Sequence, residues 1–170
     1  MASLTNDGIN PAPTKRVLSL RDPTQKMSKS APDANSRILL TDSARDVEKK
    51  IKRAVTDDER TLSFDPVGRP GISNLLDIFA ALRSGRGIET TPAEIAEELN
   101  RSKGGAAGAG TIKAALSEEI IATLQPIQDR LQRLQADPEH LEEIGERGAA
   151  KARQIAESTM VQVRHLVGLS

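Results

Sequence analysis

A mainly α-helical fold is what this sequence predicts, with five helices and at most one short strand. Three observations carry it. Apolar residues return at intervals of three and four along residues 43–56, 71–83, 92–100, 111–135 and 138–167, the spacing that gathers them on one helical face. Capping residues or prolines stand where several of these stretches begin, as helix starts require. Only Arg16-Val17-Leu18-Ser19-Leu20 is short and apolar enough for a strand, and it has no partner strand in the chain. With Phe64 and Phe79 as the only aromatics, the core must be built from Leu, Ile, Val and Ala.

Residues 1–13, polar and broken by Gly8, Pro11 and Pro13, read as a flexible arm. Residues 14–40 hold the short strand and a lysine- and serine-rich loop between prolines. Ser43 is placed to cap the first helix, in which Val47, Ile51, Ala54 and Val55 recur on one face until Asp57-Asp58-Glu59 closes it. After a loop holding Phe64, Pro66 and Pro70, the residues Ile72, Leu75, Leu76, Phe79 and Leu82 give the second helix one wide apolar face, that of a core helix. Ser73 and Asn74 interrupt that face and read either as a packing or capping detail or, as Ser and Asn inside a helix more often are, as turned to solvent or to a local carbonyl.

Thr91-Pro92-Ala93-Glu94 spells a capping box with proline at the first helical position. The run from Gly104 to Gly110 has the composition of a flexible linker. In the fourth helix Ile112, Leu116, Ile120, Leu124, Ile127, Leu131 and Leu134 share a face, and Pro126 inside it should produce a kink. Asp137-Pro138 starts the fifth, whose Leu141, Ile144, Ala152, Ile155, Ala156, Met160, Val163 and Leu166 are expected to point inward. Residues 41–170 are thereby expected to form one α-helical domain.

Composition removes several function classes. Lys plus Arg and Asp plus Glu number 24 each in 170 residues, so there is no overall basic field, and nucleic acid would have to be met by local patches. Without cysteine there are no disulfides and no thiolate metal sites, and His140 and His165 stand too far apart to suggest a histidine site. No apolar run approaches the ~20 residues of a membrane span. The glycines at 104–110 lack the spacing of a nucleotide-binding turn and follow no strand. Met1-Ala2-Ser3-Leu4-Thr5 is neither a signal peptide nor an Arg-rich transit peptide.

Chemistry is announced by Lys26-Met27-Ser28-Lys29-Ser30, with Asp22-Pro23-Thr24 before it and Ala31-Pro32 after it. Two ammonium groups three residues apart are point charges for phosphate oxygens, and the serine hydroxyls add donors. By composition alone a solvated surface turn would look the same. The spelling, however, matches the KMSKS signature of class I aminoacyl-tRNA synthetases. The continuation through Asn35-Ser36-Arg37-Ile38-Leu39-Leu40, Ile51-Lys52-Arg53-Ala54-Val55-Thr56-Asp57 and Arg69-Pro70-Gly71-Ile72-Ser73-Asn74-Leu75-Leu76 is similar to the bacterial and organellar tryptophanyl-tRNA synthetases. The resemblance runs from about Thr14 to the C-terminus. The second signature of that class, with two histidines close together, does not occur in this sequence.

The resemblance implies the C-terminal half of such an enzyme: residues 14–40 a remnant of a Rossmann-type nucleotide-binding domain with its KMSKS loop, residues 41–170 a helical bundle of anticodon-binding type. The implied reaction is attack of the tryptophan carboxylate on the α-phosphate of ATP, then transfer of the aminoacyl group to tRNA specific for tryptophan. It makes Lys29 and Lys26 the catalytic cations on the leaving pyrophosphate. Lys26, Met27, Ser28, Lys29 and Ser30 form the ATP phosphate site, with Mg2+ carried on the phosphates rather than by a protein metal site. Met27 would hold the loop's shape. The basic run Lys49-Lys50-Ile51-Lys52-Arg53 offers Lys49, Lys50, Lys52 and Arg53 to a tRNA backbone, although Asp46, Glu48 and Asp57 close by would equally suit a solvated helix face. The tryptophan pocket would lie mostly outside this chain, and full-length relatives are expected to be homodimers. Either a mitochondrial matrix or a bacterial-type cytoplasm would suit such a protein, with the Ala- and Arg-rich insertions leaning toward the mitochondrion. The chain alone is not expected to activate tryptophan. The other reading is a non-catalytic helical module that binds tRNA or protein.

Overall fold

The computed structural model describes residues 16–169, and the arm expected at 1–13 lies outside them. It is mainly α, as the periodicity predicts: α1 Ala44–Lys52, α2 Pro70–Ser84, α3 Pro92–Ser102, α4 Ala109–Gln135 and α5 Pro138–Leu166, with a 3-10 turn at Ala34–Ser36 that the sequence did not reveal. The chain divides into two compact units between Pro126 and Ile127.

In the first unit α2 is the central element, with Ile72, Leu75, Leu76 and Phe79 buried among Ile51 of α1, Ile95 of α3 and Ile112 and Leu116 of α4. Phe79 supplies the one aromatic ring of this aliphatic core, and the Arg83 guanidinium lies 4.7 Å over it. Arg83 also forks onto Glu98 of α3 at 2.6 and 3.1 Å, joining the two helices that pack on each other.

Local chemistry sets the helix ends. The Ser43 hydroxyl accepts the Asp46 N–H at 3.2 Å and opens α1. The helix stops at Lys52, short of the expected 56, because the Val55 N–H leaves the helical ladder to donate to the Leu20 carbonyl at 2.8 Å. Val55 consequently ends on the surface, while Val47, Ile51 and Ala54 are buried. At α3 both halves of the capping box form: the Glu94 N–H donates to Thr91 Oγ1 at 3.2 Å, and the Thr91 N–H donates to Glu94 Oε2 at 2.8 Å. Replacing Thr91 by Ala should therefore lower unfolding free energy by about 1 kcal/mol, read as a lower urea midpoint with an unchanged slope; an unmoved midpoint would show that the cap contributes nothing.

The glycine run is not a free linker. Gly104 and Gly105 take φ of 70° and 100°, a conformation that glycine adopts at little cost, and the Gly105 N–H returns to the Asn100 carbonyl at 2.8 Å. Ala107 is fully buried, and α4 already starts at Ala109. The Asn100 side chain explains this order: its oxygen accepts from Leu62 and Ala107, its NH2 donates to the Leu62 carbonyl, and so two loops close on α3. α4 includes Pro126 within its length, and the boundary between the units falls next to that residue.

In the second unit Asp137 caps α5 by accepting the His140 N–H at 3.1 Å. None of the residues of α5 is buried. Leu141, Ile144, Ile155, Met160, Val163 and Leu166, expected inward, are exposed, as are Ala152 and Ala156. Periodicity identifies an apolar stripe but carries no information about what covers it.

Candidate functional site

The short strand does find a partner, and the partner is the lysine loop itself. Leu18 and Lys26 form an isolated antiparallel bridge, flanked by Ser19 N–H to Gln25 O at 2.8 Å and Met27 N–H to Val17 O at 3.0 Å. Among the described residues this is the only β pairing. The turn closing the hairpin is set by Asp22, whose carboxylate accepts the Thr24 hydroxyl at 2.6 Å and the Thr24 N–H at 3.0 Å. Those two bonds, the hydroxyl's foremost, hold the Asp22 carboxyl below the usual carboxylate range.

Met27 is half-buried and packs against the core, while Lys26, Ser28, Lys29 and Ser30 are exposed. Among the described residues neither Lys26 nor Lys29 forms an ion pair with a carboxylate. The Ser28 and Ser30 hydroxyls lie 3.0 Å apart, and the Ala31 N–H reaches back to the Ser28 carbonyl at 3.3 Å. The far flank is fixed by Arg37, which donates to the Ala31 carbonyl at 2.8 Å and the Asp33 carbonyl at 3.3 Å. Asp33 caps the 3-10 turn through the Asn35 N–H at 2.8 Å, the bond that does most to hold its carboxyl low, and pairs with Arg21 at 3.4 Å.

The outer edge of the hairpin is bound to the helical unit. Leu20 donates to the Ser36 carbonyl and accepts from Val55, and the Asn74 carboxamide takes both backbone groups of Leu18 at 3.0 and 3.1 Å. Of the readings its position allowed, Asn74 thus takes the packing one and is not turned to solvent. Nor is Ser73, whose hydroxyl accepts the Asp65 N–H at 2.9 Å. Both are buried.

The basic run on α1 is divided by the structure. Lys50 turns inward to Asp42, 2.5 Å away, with both side chains about one-tenth exposed. Lys49, Lys52 and Arg53 stay exposed and, with Arg45 and Glu48, line one open groove. The carbonyls just past the C-terminus of α1 are met by two cations that sequence spacing did not disclose: Arg21 on Arg53 O at 2.6 Å, and Lys113 on Ala54 O at 2.8 Å. These sit at the negative end of the helix. Burial pushes the Lys113 ammonium below the usual lysine value. Beneath α1, the loop leading to α2 is ordered by the buried Arg69, which forks onto Asp57 and donates to Thr61 O and Ser63 Oγ.

Among the described residues no group of three or more His, Cys, Asp or Glu side chains is arranged to hold a metal ion, and no helix is long and apolar enough to cross a membrane.

The family model for class I tRNA synthetases (W and Y) matches residues 4–125. The tryptophan–tRNA ligase of Bacillus anthracis is 42% identical over 155 residues, 91% of this chain and 44% of the relative. That of Thermosynechococcus vestitus is 40% identical over the same shares. Among solved structures, the tryptophanyl-tRNA synthetase of Mycoplasma pneumoniae superposes with a TM-score of 0.65 at 29% identity, covering 91% of this chain and 44% of that one. The chain spans less than half the length of these relatives.

Proposed function

Because the chain belongs to the class I tRNA synthetases (W and Y), on their tryptophanyl side, we propose that it is part of a tryptophan–tRNA ligase and supplies the enzyme's ATP phosphate loop and a tRNA-facing helical region. One observation carries the reading. Lys26 and Lys29 stand exposed, unpaired with carboxylates among the described residues, the first on the second strand of the anchored hairpin and the second in the turn after it, where the Ser28 and Ser30 hydroxyls bond each other. Placing positive charge where the leaving pyrophosphate gathers negative charge is the main task of such a site. Lys29 then takes the pyrophosphate oxygens, Lys26 assists, Ser28 and Ser30 donate hydrogen bonds, and Mg2+ travels on the ATP phosphates. The nucleophile is the tryptophan carboxylate, so no protein base is required. A loop that can reorder around ATP suits the entry and release of nucleotide.

On α1 the exposed Lys49, Lys52 and Arg53, with Arg45 beside them, are the cations available to a tRNA phosphate backbone; Lys50 is engaged with Asp42. We place most of the tryptophan pocket, and the remaining catalytic residues, in a segment outside this chain. The enzyme is read as a homodimer serving bacterial-type translation in a mitochondrial matrix or a bacterial cytoplasm, the matrix favoured.

Tryptophan-dependent pyrophosphate exchange tests the reading. The chain by itself should show none, and the complete enzyme carrying Lys29→Ala should lose about 10²–10³ in kcat, the loss typical of one transition-state charge stabiliser, with a smaller loss for Lys26→Ala. Exchange by the isolated chain, or an unimpaired Lys29→Ala enzyme, would overturn it.

A further inference from the structure

We propose that Asn74 is a positioning residue for the lysine loop: by holding both backbone groups of Leu18 it fixes the strand against which Lys26 pairs, and so the place from which Lys26 and Lys29 project. This rests on the reading of the loop as a phosphate site. In the hairpin the ladder bonds are made by Val17 and Ser19, one on each side of the Leu18–Lys26 pair. In an antiparallel pair of this kind, the backbone groups of the non-bonded residue point to the opposite edge. In a sheet a neighbouring strand would meet them.

Here one carboxamide does so, its oxygen accepting the Leu18 N–H at 3.0 Å and its NH2 donating to the Leu18 carbonyl at 3.1 Å, across 56 residues of sequence. A primary amide carries the same donor and acceptor as a peptide group, so it satisfies both at once. Asn74 is 4% exposed and sits between Ser73 and Leu75 on the most buried helix of the unit, so its rotamer is set by packing. The other attachments of this edge, Leu20 to Ser36 and to Val55, are backbone to backbone. Arg21, in the turn beyond, adds a side-chain bond to the Arg53 carbonyl, but Asn74 is the side-chain contact made to the bridged residue Leu18 itself, and a substitution can remove it without altering the chain's path.

Asn100 provides an internal control. It makes the same two-handed grip on Leu62, at 3.0 and 2.8 Å, and Leu62 is not part of the hairpin. A structural role alone predicts like consequences for the two asparagines; a positioning role does not.

The test uses the whole chain labelled with 15N, amide exchange read by NMR, and inorganic pyrophosphate as probe. In Asn74→Ala the Ser19 and Met27 amides, whose own acceptors Gln25 O and Val17 O are untouched, should exchange about tenfold faster relative to the Ile95 and Ile112 amides, the scale of one buried hydrogen bond. Pyrophosphate affinity, read from shifts at Ser28 to Ala31, should fall by about the same factor. Asn100→Ala should leave both readouts unchanged. Equal acceleration throughout the chain, or the same loosening in Asn100→Ala, would overturn the proposal. If Asn74→Ala does not fold, Asn74→Asp keeps the acceptor and is read in the same way; failure of both to fold would make the residue structural and end the proposal. Selective loosening of the hairpin in a chain that shows no pyrophosphate shifts even as wild type would leave Asn74 the positioning residue and overturn the phosphate reading instead.

Discussion

Arg69→Ala should destabilise the first unit by about 3 kcal/mol, the lower end of the cost of removing one partner from a buried ion pair. The lower end applies because Asp57 keeps 29% of its side chain exposed while Arg69 keeps 7%, so water can recover part of the stranded carboxylate. The loss is more than one pair. Arg69 donates to both oxygens of Asp57, to the Thr61 carbonyl at 2.8 Å and to the Ser63 hydroxyl at 2.7 Å, and these bonds close the loop over the start of α2. Lys at this position has no fork and cannot serve the three sites, so Arg69→Lys should lose most of the same stability. A pH signature accompanies it. The hydrogen bonds from Arg69 hold the Asp57 carboxyl below the usual range, so the stabilisation is complete above the unfolded value of about 4 and is lost as pH falls through the lower folded value. The gap between wild type and Arg69→Ala in urea unfolding should therefore be wide near about pH 7 and shrink at acid pH. A gap below about 1 kcal/mol, or one that stays constant into acid, would refute the assignment.

The helices were legible because their signals are local. Ser43, the Thr91–Glu94 box and Asp137 act within three residues, and apolar spacing marks a face regardless of what it meets. What failed was each feature decided at long range. The end of α1 depends on Val55 pairing with Leu20, the order of the glycine run on Asn100, and the burial of Ser73 and Asn74 on backbone groups in Asp65 and Leu18. The site divides along the same line. The lysine loop could be read because five consecutive residues spell it, whereas Asn74, Arg37 and Lys113, which order its surroundings through neighbours in space, carry no spacing signal. Lys50 shows the converse limit: a run of cations identifies the charge of a helix, but only the position of Asp42 decides which member turns inward.

Gly71→Ala is expected to cost about 2–3 kcal/mol, against the sign that helix propensity alone would give. Gly71 occupies the first turn of α2 without a positive φ, and in a helix Ala is ordinarily preferred to Gly by up to ~1 kcal/mol. A Cβ there, however, would stand 2.3 Å from the Val55 carbonyl oxygen and 3.3 Å from the Thr56 Cα. Those are backbone atoms and cannot rotate aside. The segment they belong to is pinned by Val55 donating to Leu20 and by Asp57 held on Arg69, so relief requires α2 to move off α1's exit or the hairpin edge to loosen. Forced displacement in a packed core costs about 1–3 kcal/mol, and here it also strains the neighbouring hydrogen bonds. Gly110→Ala supplies the contrast, since a Cβ at Gly110 meets nothing within 4 Å and should stabilise α4 by about 0.5–1 kcal/mol. Thermal melts of the two variants should move in opposite directions. If Gly71→Ala melts with or above wild type, the close approach of α2 to Val55 is not a constraint on the fold, and the glycine after Pro70 would need another explanation.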